Sequence, residues 1–233
     1  MNTPLKPDPQ MIHETLKILG VGPNHVTELR ILNTRDQPTS QYPYTFGGYF
    51  DNPDALVKAA CSIKYASGWY VVLNPCHPDV LARFCNRAVK LGKGDSTQDH
   101  EVIRRVWLPI DTDPVRLPRI SSTEEEHQLA LDRASEIAHY LHGQGWPNPV
   151  VADSGNGGHL IYPIDLPRDD SGVVERCLKS LDQRFTDDRV KVDTSVFNPA
   201  RIWKLYGTPA CKGDSTPNRP HRMARLLEVP DGL

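Results

Sequence analysis

The segment RRVWLPIDTDP, residues 104–114, reads as an apolar strand that ends in two carboxylates, Asp111 and Asp113. Side chains two residues apart on a strand point to the same face, with Cα atoms about 6–7 Å apart. Both carboxylates can therefore converge on a hard divalent cation. Asp-x-Asp is also common at strand ends, where the carboxylates bond turn N–H groups, and it occurs in sugar-nucleotide transferases. The segment predicts a strand with an acidic end, whose chemistry depends on its surroundings.

The segments on either side of these carboxylates alternate between strand and helix patterns. The predicted elements are a strand at 104–111, a capped helix from Ser122 or Thr123 to Gly143, strands at 149–153 and 159–164 joined by a glycine-rich turn, a helix at about 172–185 and a strand at 190–193. This β-α-β-β-α-β order is the ferredoxin-like pattern that RNA-recognition modules (RRM) and many polymerase palms share. Further strands are expected around this core at 201–207 and 222–229.

The first 95 residues predict a smaller α/β module. Its elements are a helix at 12–19, a strand at 26–32, a helix from Asn52 to about Ile63, a strand at 68–75 and a helix at 79–92. We therefore expect an α+β fold in one domain over 1–233. An N-terminal α/β module of about 1–95 would pack on a C-terminal RRM-like module of about 96–233.

Composition excludes several classes of protein. No run approaches the ~18 apolar residues of a membrane helix, so we expect no membrane partner. The five cysteines form no CxxC pair, and the N-terminus lacks a basic region followed by an apolar core, which predicts a reduced, cytoplasmic protein. The formal net charge is −2, yet residues 201–225 carry six Lys and Arg against one Asp. That stretch is either a solvated edge or an electrostatic footprint for phosphates.

Two further motifs lie near the predicted acidic strand. In SGNGGH, residues 154–159, three glycines allow backbone N–H groups to approach an anion, and His159 can donate a hydrogen bond to a phosphate oxygen; a plain hairpin with a capping histidine is the alternative. The strand at 190–193 ends in Asp193, a third carboxylate of the kind that completes a two-metal site. Arg201 and Lys204 would then neutralise a triphosphate.

Together these residues resemble the archaeo-eukaryotic primase (AEP) superfamily. The apolar run with Asp-x-Asp at 108–113, SGNGGH at 154–159 and the Val-Asp pair at 192–193 look like its motifs I, II and III, in the family's order. The surrounding VFNPARIWKLYGT and KGDSTPNRPHR are similar to its primase-polymerase branch, found in plasmids, phages and CRISPR-associated proteins. The resemblance implies an AEP fold with an RRM-like palm. It also implies template-directed nucleotidyl transfer by a DNA primase, a DNA polymerase or both.

The resemblance also implies roles for individual residues. Asp111, Asp113 and Asp193 would bind two Mg²⁺ or Mn²⁺ ions. The nucleotide would be bound by Ser154, Gly158, His159, Arg201, Lys204 and Lys212, with Tyr70 and Asn74 as sugar contacts. A buried strand tyrosine is the alternative for Tyr70. Beyond the proline-rich turn, the arginines are expected to face a nucleic-acid strand: Arg219, Arg222 and Arg225.

The implied partners are a single-stranded DNA template, a primer strand and dNTP or NTP substrates. No GxxxxGK[ST] occurs, so a helicase or accessory domain would act in trans or in a longer chain. A replication-initiator nuclease needs paired histidines, whereas HLI at 159–161 has one. A non-catalytic nucleic-acid-binding domain would lose the carboxylates, and a nucleotide-sugar transferase would not explain the basic run after Asp193. Metal-dependent incorporation of nucleotides separates a polymerase from these alternatives.

Overall fold

Two β-sheets organise the part of the chain that the computed structural model describes, residues 5–232. The first sheet has the order β11-β10-β3-β1-β2-β4, with β9 also paired to β3, and the second has the order β12-β6-β7-β5-β8. The strands of the first sheet are β1 (Thr27–Thr34), β2 (Tyr44–Phe50), β3 (Gly68–Val72), β4 (Val89–Lys90), β9 (Ile202–Lys204), β10 (Pro209–Ala210) and β11 (Arg222–Met223). Those of the second sheet are β5 (Arg104–Pro114), β6 (Val150–Asp153), β7 (Gly158–Pro167), β8 (Val190–Val192) and β12 (Arg225–Glu228).

Within residues 5–232, four α-helices pack with these sheets: α1 (Pro9–Ile18), α2 (Pro53–Ser62), α3 (Glu124–Gly143) and α4 (Val173–Phe185). The fold is therefore mixed α+β, with antiparallel pairing between the named strands. None of the helices within residues 5–232 combines the length and apolar character needed to cross a membrane.

The long strand β5 lies inside the second sheet, as the sequence predicted. It pairs with β7 on one side and β8 on the other, so that Asp111 lies opposite His159 and Asp113 opposite Lys191. Leu108 and Ile110 on the same strand are buried in the core. Residues 107–110 are buried in succession, so both faces of the strand are covered at its centre.

Helix α3 follows the predicted capping pattern. The Thr123 hydroxyl accepts from the Glu126 N–H, and the Glu126 carboxylate accepts from the Thr123 N–H. The predicted stripe of α3 is buried at Ala130, Ala134, Ile137 and Leu141. A Cβ on Gly158 would lie 2.6 Å from the Cβ of Ala134, so glycine is required where β7 passes under this helix.

The helix predicted over 79–92 is wrong. The structure has a short 3-10 helix over Pro78–Arg83, followed by β4. Asn86 adopts a φ of 50°, and its side-chain amide donates to Asp51 Oδ1 over 2.7 Å. This left-handed residue breaks any helix here, and the apolar side chains of Leu81 and Phe84 pack instead on a small second core.

The strand β2 was not predicted from the sequence, because its centre is Gly47-Gly48 and glycine weakens a strand pattern. The glycines are required where the chain comes close to its neighbours. A Cβ on Gly47 would lie 2.1 Å from the carbonyl oxygen of Leu29, and one on Gly48 would lie 2.0 Å from that of Arg87.

The C-terminal segment contributes strands to both sheets. The expectation that residues 201–207 lie around the second sheet is wrong, because β9 pairs with β3 of the first sheet, with Lys204 opposite Tyr70. The expected strand at 222–229 is divided: β11 pairs with β10, whereas β12 pairs with β6. This crossing brings the basic residues after Asp193 against the acidic end of β5.

Candidate active site between the two sheets

A cavity of about 250 Å³ lies where the acidic end of β5 faces β3 and β9. The residues selected from the sequence that line it are Tyr70, Asp111, Asp113, Ser154, His159, Asp193, Arg201, Lys204 and Lys212. These residues come from both sheets and are spread over more than half of the chain. The antiparallel neighbours of β5 and the return of β9 to the first sheet bring them together.

Three carboxylates form one wall of this cavity. The backbone N–H of Asp193 donates to the carbonyl of Asp111 over 2.8 Å, so β8 delivers its last carboxylate beside β5. Asp111 Oδ1 is buried and accepts no hydrogen bond from any residue between 5 and 232. Asp113 Oδ1 lies 3.4 Å from Arg116 Nη1, and Asp193 Oδ1 accepts from the Ser195 N–H over 2.8 Å. The wall thus has at least one carboxylate oxygen free to take a cation.

The acidic wall fits a hard divalent cation in part. Within the described residues, no group of three or more His, Cys, Asp or Glu side chains is close enough to hold a metal ion alone. Mg²⁺ is usually held by one or two carboxylates together with waters and substrate phosphates, rather than by an all-protein cage. The orphaned Oδ1 of Asp111 and the oxygen-only donor set match that mode of binding.

His159 is held by two aromatic residues that the sequence motifs did not indicate. Its ring lies on Trp203, with centroids 3.9 Å apart, and its Nδ1 is 3.1 Å from the Tyr206 hydroxyl. That hydroxyl also accepts from Trp203 Nε1 over 2.7 Å, so its own hydrogen can be donated to Nδ1. In the neutral imidazole the proton then resides on Nε2, which lies 3.5 Å from Asp111 Oδ1.

Burial raises the pKa of Tyr206 far above its usual range, so the phenol keeps its proton. The sequence signal for this arrangement was the Trp-x-x-Tyr spacing in RIWKLYG, which places Trp203 within β9 and Tyr206 just after its end. The pattern alone does not show that the two rings contact a histidine more than forty residues earlier.

The SGNGG turn is organised mainly by its own bonds. The Ser154 hydroxyl accepts from the Gly157 N–H over 3.0 Å and contacts the Gly157 carbonyl at 3.1 Å. Gly155 has a φ of +86°, and a Cβ there would lie 2.6 Å from that of Ala210. Asn156, which was not selected, lines the cavity and accepts from the Ser122 N–H over 2.9 Å. The turn therefore presents Ser154 and Asn156 to the cavity.

Gly158 does not line this cavity. Its position is explained by packing against α3 and by its pairing with Thr112 of β5. Nucleotide binding by Gly158 stays a prediction, whereas the close approach of helix and strand explains why this position is a glycine.

A buried contact between an aspartate and a histidine supports the turn from below. Asp153 Oδ1 lies 2.8 Å from His127 Nε2 and accepts from the Gly155 N–H over 2.6 Å. Burial alone would raise the pKa of Asp153, but His127 and the Gly155 N–H outweigh it, so its pKa is lowered. Neither residue was selected from the sequence, because a histidine on a helix and an aspartate at a strand end are unremarkable until the fold brings them together.

The opposite wall is basic. Lys204 is 4% exposed, donates to the Pro209 carbonyl over 2.6 Å and lies 5.3 Å from the ring centroid of Tyr70. Burial lowers the pKa of Lys204 to about 7. Burial, followed by the charges of Asp111 and Asp113, raises the pKa of Tyr70 to about 12, so the tyrosine stays neutral beside the acidic wall.

Asn74 lies outside the cavity. It is 3% exposed, its Oδ1 accepts from the N–H groups of Val106 and Trp107 over 2.9 and 3.3 Å, and its Nδ2 donates to the Pro199 carbonyl over 3.0 Å. Its side-chain amide therefore makes all of these hydrogen bonds to backbone groups of distant segments. A sugar contact by Asn74 stays a prediction, which the hydrogen bonds of its side chain to backbone groups do not support.

The three arginines near the C-terminus are engaged with carboxylates of this chain. Arg219 forms two hydrogen bonds with Glu126, Arg222 pairs with Glu124 at 2.9 Å, and Arg225 lies 3.5 Å from Asp153. They tie the C-terminal segment to the acidic first turn of α3 and to the base of the SGNGG turn. That Arg219, Arg222 and Arg225 face a nucleic-acid strand stays a prediction, and these ion pairs compete with it.

We compared the sequence and the structure with known proteins. No protein-family model matches the sequence, and no curated protein matches it. Among solved structures, the AEP domain of the cyanophage S-2L primase-polymerase matches with a TM-score of 0.52 and 14% identity, covering 98% of this chain and 94% of that domain. The chain therefore has the fold of an archaeo-eukaryotic primase domain, as the sequence motifs implied.

Proposed function

We propose that this protein is a nucleotidyltransferase that acts as a DNA primase, a DNA polymerase or both, on dNTP or NTP substrates. The observation that carries the proposal is the convergence of Asp111, Asp113, Asp193 and His159 with Lys204 on one cavity. These residues belong to motifs that lie dozens of residues apart along the sequence. The shared fold with a primase-polymerase domain supports the same class of reaction.

The second sheet is proposed to act as an RRM-like palm. Its core order β6-β7-β5-β8, with α3 between β5 and β6 and α4 between β7 and β8, supports this assignment. The strand β12 extends the sheet beyond that core at the β6 edge.

Asp111, Asp113 and Asp193 would hold two Mg²⁺ or Mn²⁺ ions. When bound, such ions supply charge neutralisation at the transferring phosphoryl group and lower the pKa of an attacking hydroxyl. The carboxylates supply the negative charge and the fixed positions. Because Asp111 and Asp193 are tied by a backbone hydrogen bond of 2.8 Å, the spacing of two ligands is set by the sheet.

The remaining lining residues would bind and orient the nucleotide. His159 Nε2–H would donate to a phosphate oxygen, with its tautomer fixed by Tyr206 and its plane fixed by Trp203. Lys204 and Arg201 would balance the triphosphate charge from the opposite wall. Tyr70 would form the neutral floor between the walls.

A replication-initiator nuclease is the competing function, since Tyr206 lies beside a histidine. Tyr206 is 1% exposed, and burial raises its pKa far above its usual range. Both properties oppose a role as a nucleophile, which must be accessible and activated. The geometry therefore favours nucleotidyl transfer.

The test is an assay of primer extension and of synthesis without a primer, with dNTPs and NTPs offered separately in Mg²⁺ and in Mn²⁺. We expect wild-type incorporation directed by the template. The variant Asp111→Asn should be inactive, while Asp165→Asn should match the wild type, because Asp165 is an exposed carboxylate of β7 away from the cavity. Wild-type protein that cleaves the template and incorporates nothing would overturn the proposal.

A further inference from the structure

A larger groove of about 1190 Å³ opens beside the candidate active site. Ser67, Tyr70, Asp113 and Lys212 line both the groove and the smaller cavity. The two spaces are therefore continuous along the acidic end of β5. A ligand that occupies the groove would reach the place where the carboxylates converge.

The groove concentrates positive charge, most of which has no ion-pair partner among the described residues. Its cations are Arg35, Lys64, Arg116, Arg119, Lys191 and Lys212, against the carboxylates of Asp113 and Asp214. Arg116 is paired with Asp113, but the other five cations form no salt bridge with any residue from 5 to 232. Surface cations gathered without partners repel one another, so their convergence indicates an anionic ligand.

One wall of the groove is built tightly rather than being a loose loop. Arg119 adopts a φ of 66°, and a Cβ on Gly213 would lie 2.6 Å from the Arg119 carbonyl oxygen. Arg116 Nε donates to the Ile120 carbonyl over 3.2 Å, and His221 Nε2 lies 2.9 Å from the Gly213 carbonyl. The segment at 115–119 is thus fixed against the Lys212-Gly213 turn.

Apolar surface lies between the cations. Leu117 is 74% exposed and Val115 is 51% exposed, and both line the groove together with the half-buried ring of Tyr65. Unpaired bases stack on aromatic and apolar side chains, while their phosphates are bound by Lys and Arg, and this combination is typical of sites for single-stranded nucleic acid. A free anion of low molecular mass would make no use of the apolar surface.

We propose that this groove binds a single strand of nucleic acid and leads it to the active cavity, with phosphates on Lys64, Arg119 and Lys191 and bases against Tyr65 and Leu117. The inference rests on the proposed function only for the direction of the strand. In this proposal the groove, and not the group of three C-terminal arginines, is the surface that binds nucleic acid.

The test measures binding of a fluorescently labelled single-stranded DNA oligonucleotide by anisotropy, in EDTA and without nucleotide, over a series of salt concentrations. Each of Lys64→Ala and Arg119→Ala should reduce the magnitude of the salt slope by about 0.7. Each should also weaken binding by about two- to fivefold, the range of an exposed ion pair. The control Lys179→Ala, which removes an exposed lysine of α4 outside the groove, should change neither quantity.

Both groove cations are exposed, so their loss should leave the unfolding temperature unchanged, and this is checked in the same samples. Unchanged slopes in both groove variants would overturn the proposal, as would a blunt duplex that competes as well as the single strand. Asp111→Asn should keep full strand binding. Catalytic failure with intact groove effects would count against the proposed function alone, and the reverse result would count against the groove alone.

Discussion

The two walls of the candidate active site are built in opposite ways. The acidic wall comes from adjacent strands of the second sheet, and Asp111 Oδ1 on it is left without a hydrogen bond from the described residues. The basic wall comes from the first sheet, where Lys204 is buried and its Nζ donates to the Pro209 carbonyl. The acidic wall can therefore bind a cation. The basic wall carries a buried amine that can bind an anion.

This difference assigns different tasks to the walls. Carboxylates that repel one another at the end of a sheet gain from binding cations, so under the proposed function they serve the chemical step. A buried lysine on a rigid strand gains from a nearby anion, so under the same proposal it serves nucleotide binding. Neither sheet carries the whole site, and the chain crossing at β9 is what opposes the two walls.

The largest effect is expected on the acidic wall. Asp193→Ala removes a carboxylate that cannot be replaced by a neighbour, and metal ions supply several kcal/mol of transition-state stabilisation, which corresponds to about a thousandfold in rate or more. Thermal unfolding should shift by only a few degrees, because the loss of the hydrogen bond from the Ser195 N–H costs about 1 kcal/mol while a repelling charge is removed. Radiolabelled nucleotide incorporation and a melting curve of the same sample measure both quantities.

A tenfold to hundredfold effect is expected for His159→Ala. A hydrogen bond from histidine to a charged phosphate contributes about 1.5–3 kcal/mol, and its loss should raise the nucleotide Kd by about that factor. His139→Ala, which removes an exposed histidine of α3, serves as the control. If the His159 variant has a much lower unfolding temperature while its folded form keeps the wild-type nucleotide Kd, the histidine is a structural partner of Trp203 and Tyr206.

A pH effect is expected on the basic wall. Since burial lowers the pKa of Lys204 to about 7, the amine is charged below that pH and becomes neutral above it. Nucleotide affinity should therefore fall as pH rises through about 7, and Lys204→Met should remove this part of the pH dependence. Isothermal titration at pH 6 and pH 8 measures it, and equal pH dependence in both proteins would contradict the assignment.

The same pKa predicts a stability effect with the opposite sign. Between about pH 7 and the usual lysine pKa, the unfolded chain binds a proton at Lys204 that the folded chain does not, so folding stability should rise with pH across that interval. The difference in unfolding temperature between wild type and Lys204→Met isolates this contribution from the other titrating groups.

The smallest effect is expected away from both walls, at Arg222. This residue pairs with the exposed Glu124 and donates to the Ser122 carbonyl over 3.0 Å, so Arg222→Ala should destabilise the fold by about 1 kcal/mol. The salt dependence of strand binding should be unchanged, because the guanidinium is committed to α3. A flatter salt slope in this variant would return the C-terminal arginines to the nucleic-acid surface.

Much of the second sheet could be predicted because its signals are local. The capping box at Thr123, the glycine-rich turn before His159 and the apolar strand before Asp111 each appear within a few residues. The strand β2 and the false helix over 79–92 were not predictable in this way. The two glycines of β2 weaken its strand pattern in the sequence. The left-handed backbone of Asn86, which ends any helix over 79–92, is visible only in the folded structure.

The carboxylates of the site could be predicted, while several of their supports could not. Asp111, Asp113 and Asp193 follow apolar strands, which is a pattern in the sequence itself. Asn74 was assigned by the family resemblance and the C-terminal arginines by their place after the proline-rich turn. Their hydrogen-bond partners in the structure lie in segments distant along the chain. The contact between His127 and Asp153 was also not predictable, since only the packing of α3 brings the two residues together.

The division of labour between the walls is tested most directly by the rate of nucleotide incorporation against nucleotide concentration for wild type, Asp111→Asn and Lys204→Met. We expect Asp111→Asn to lose kcat by about a thousandfold while nucleotide binding stays within a few-fold of wild type. Lys204→Met should instead raise KM, with the larger part of kcat retained. Equal losses of kcat in both variants, or a wild-type kcat in Asp111→Asn, would contradict this division.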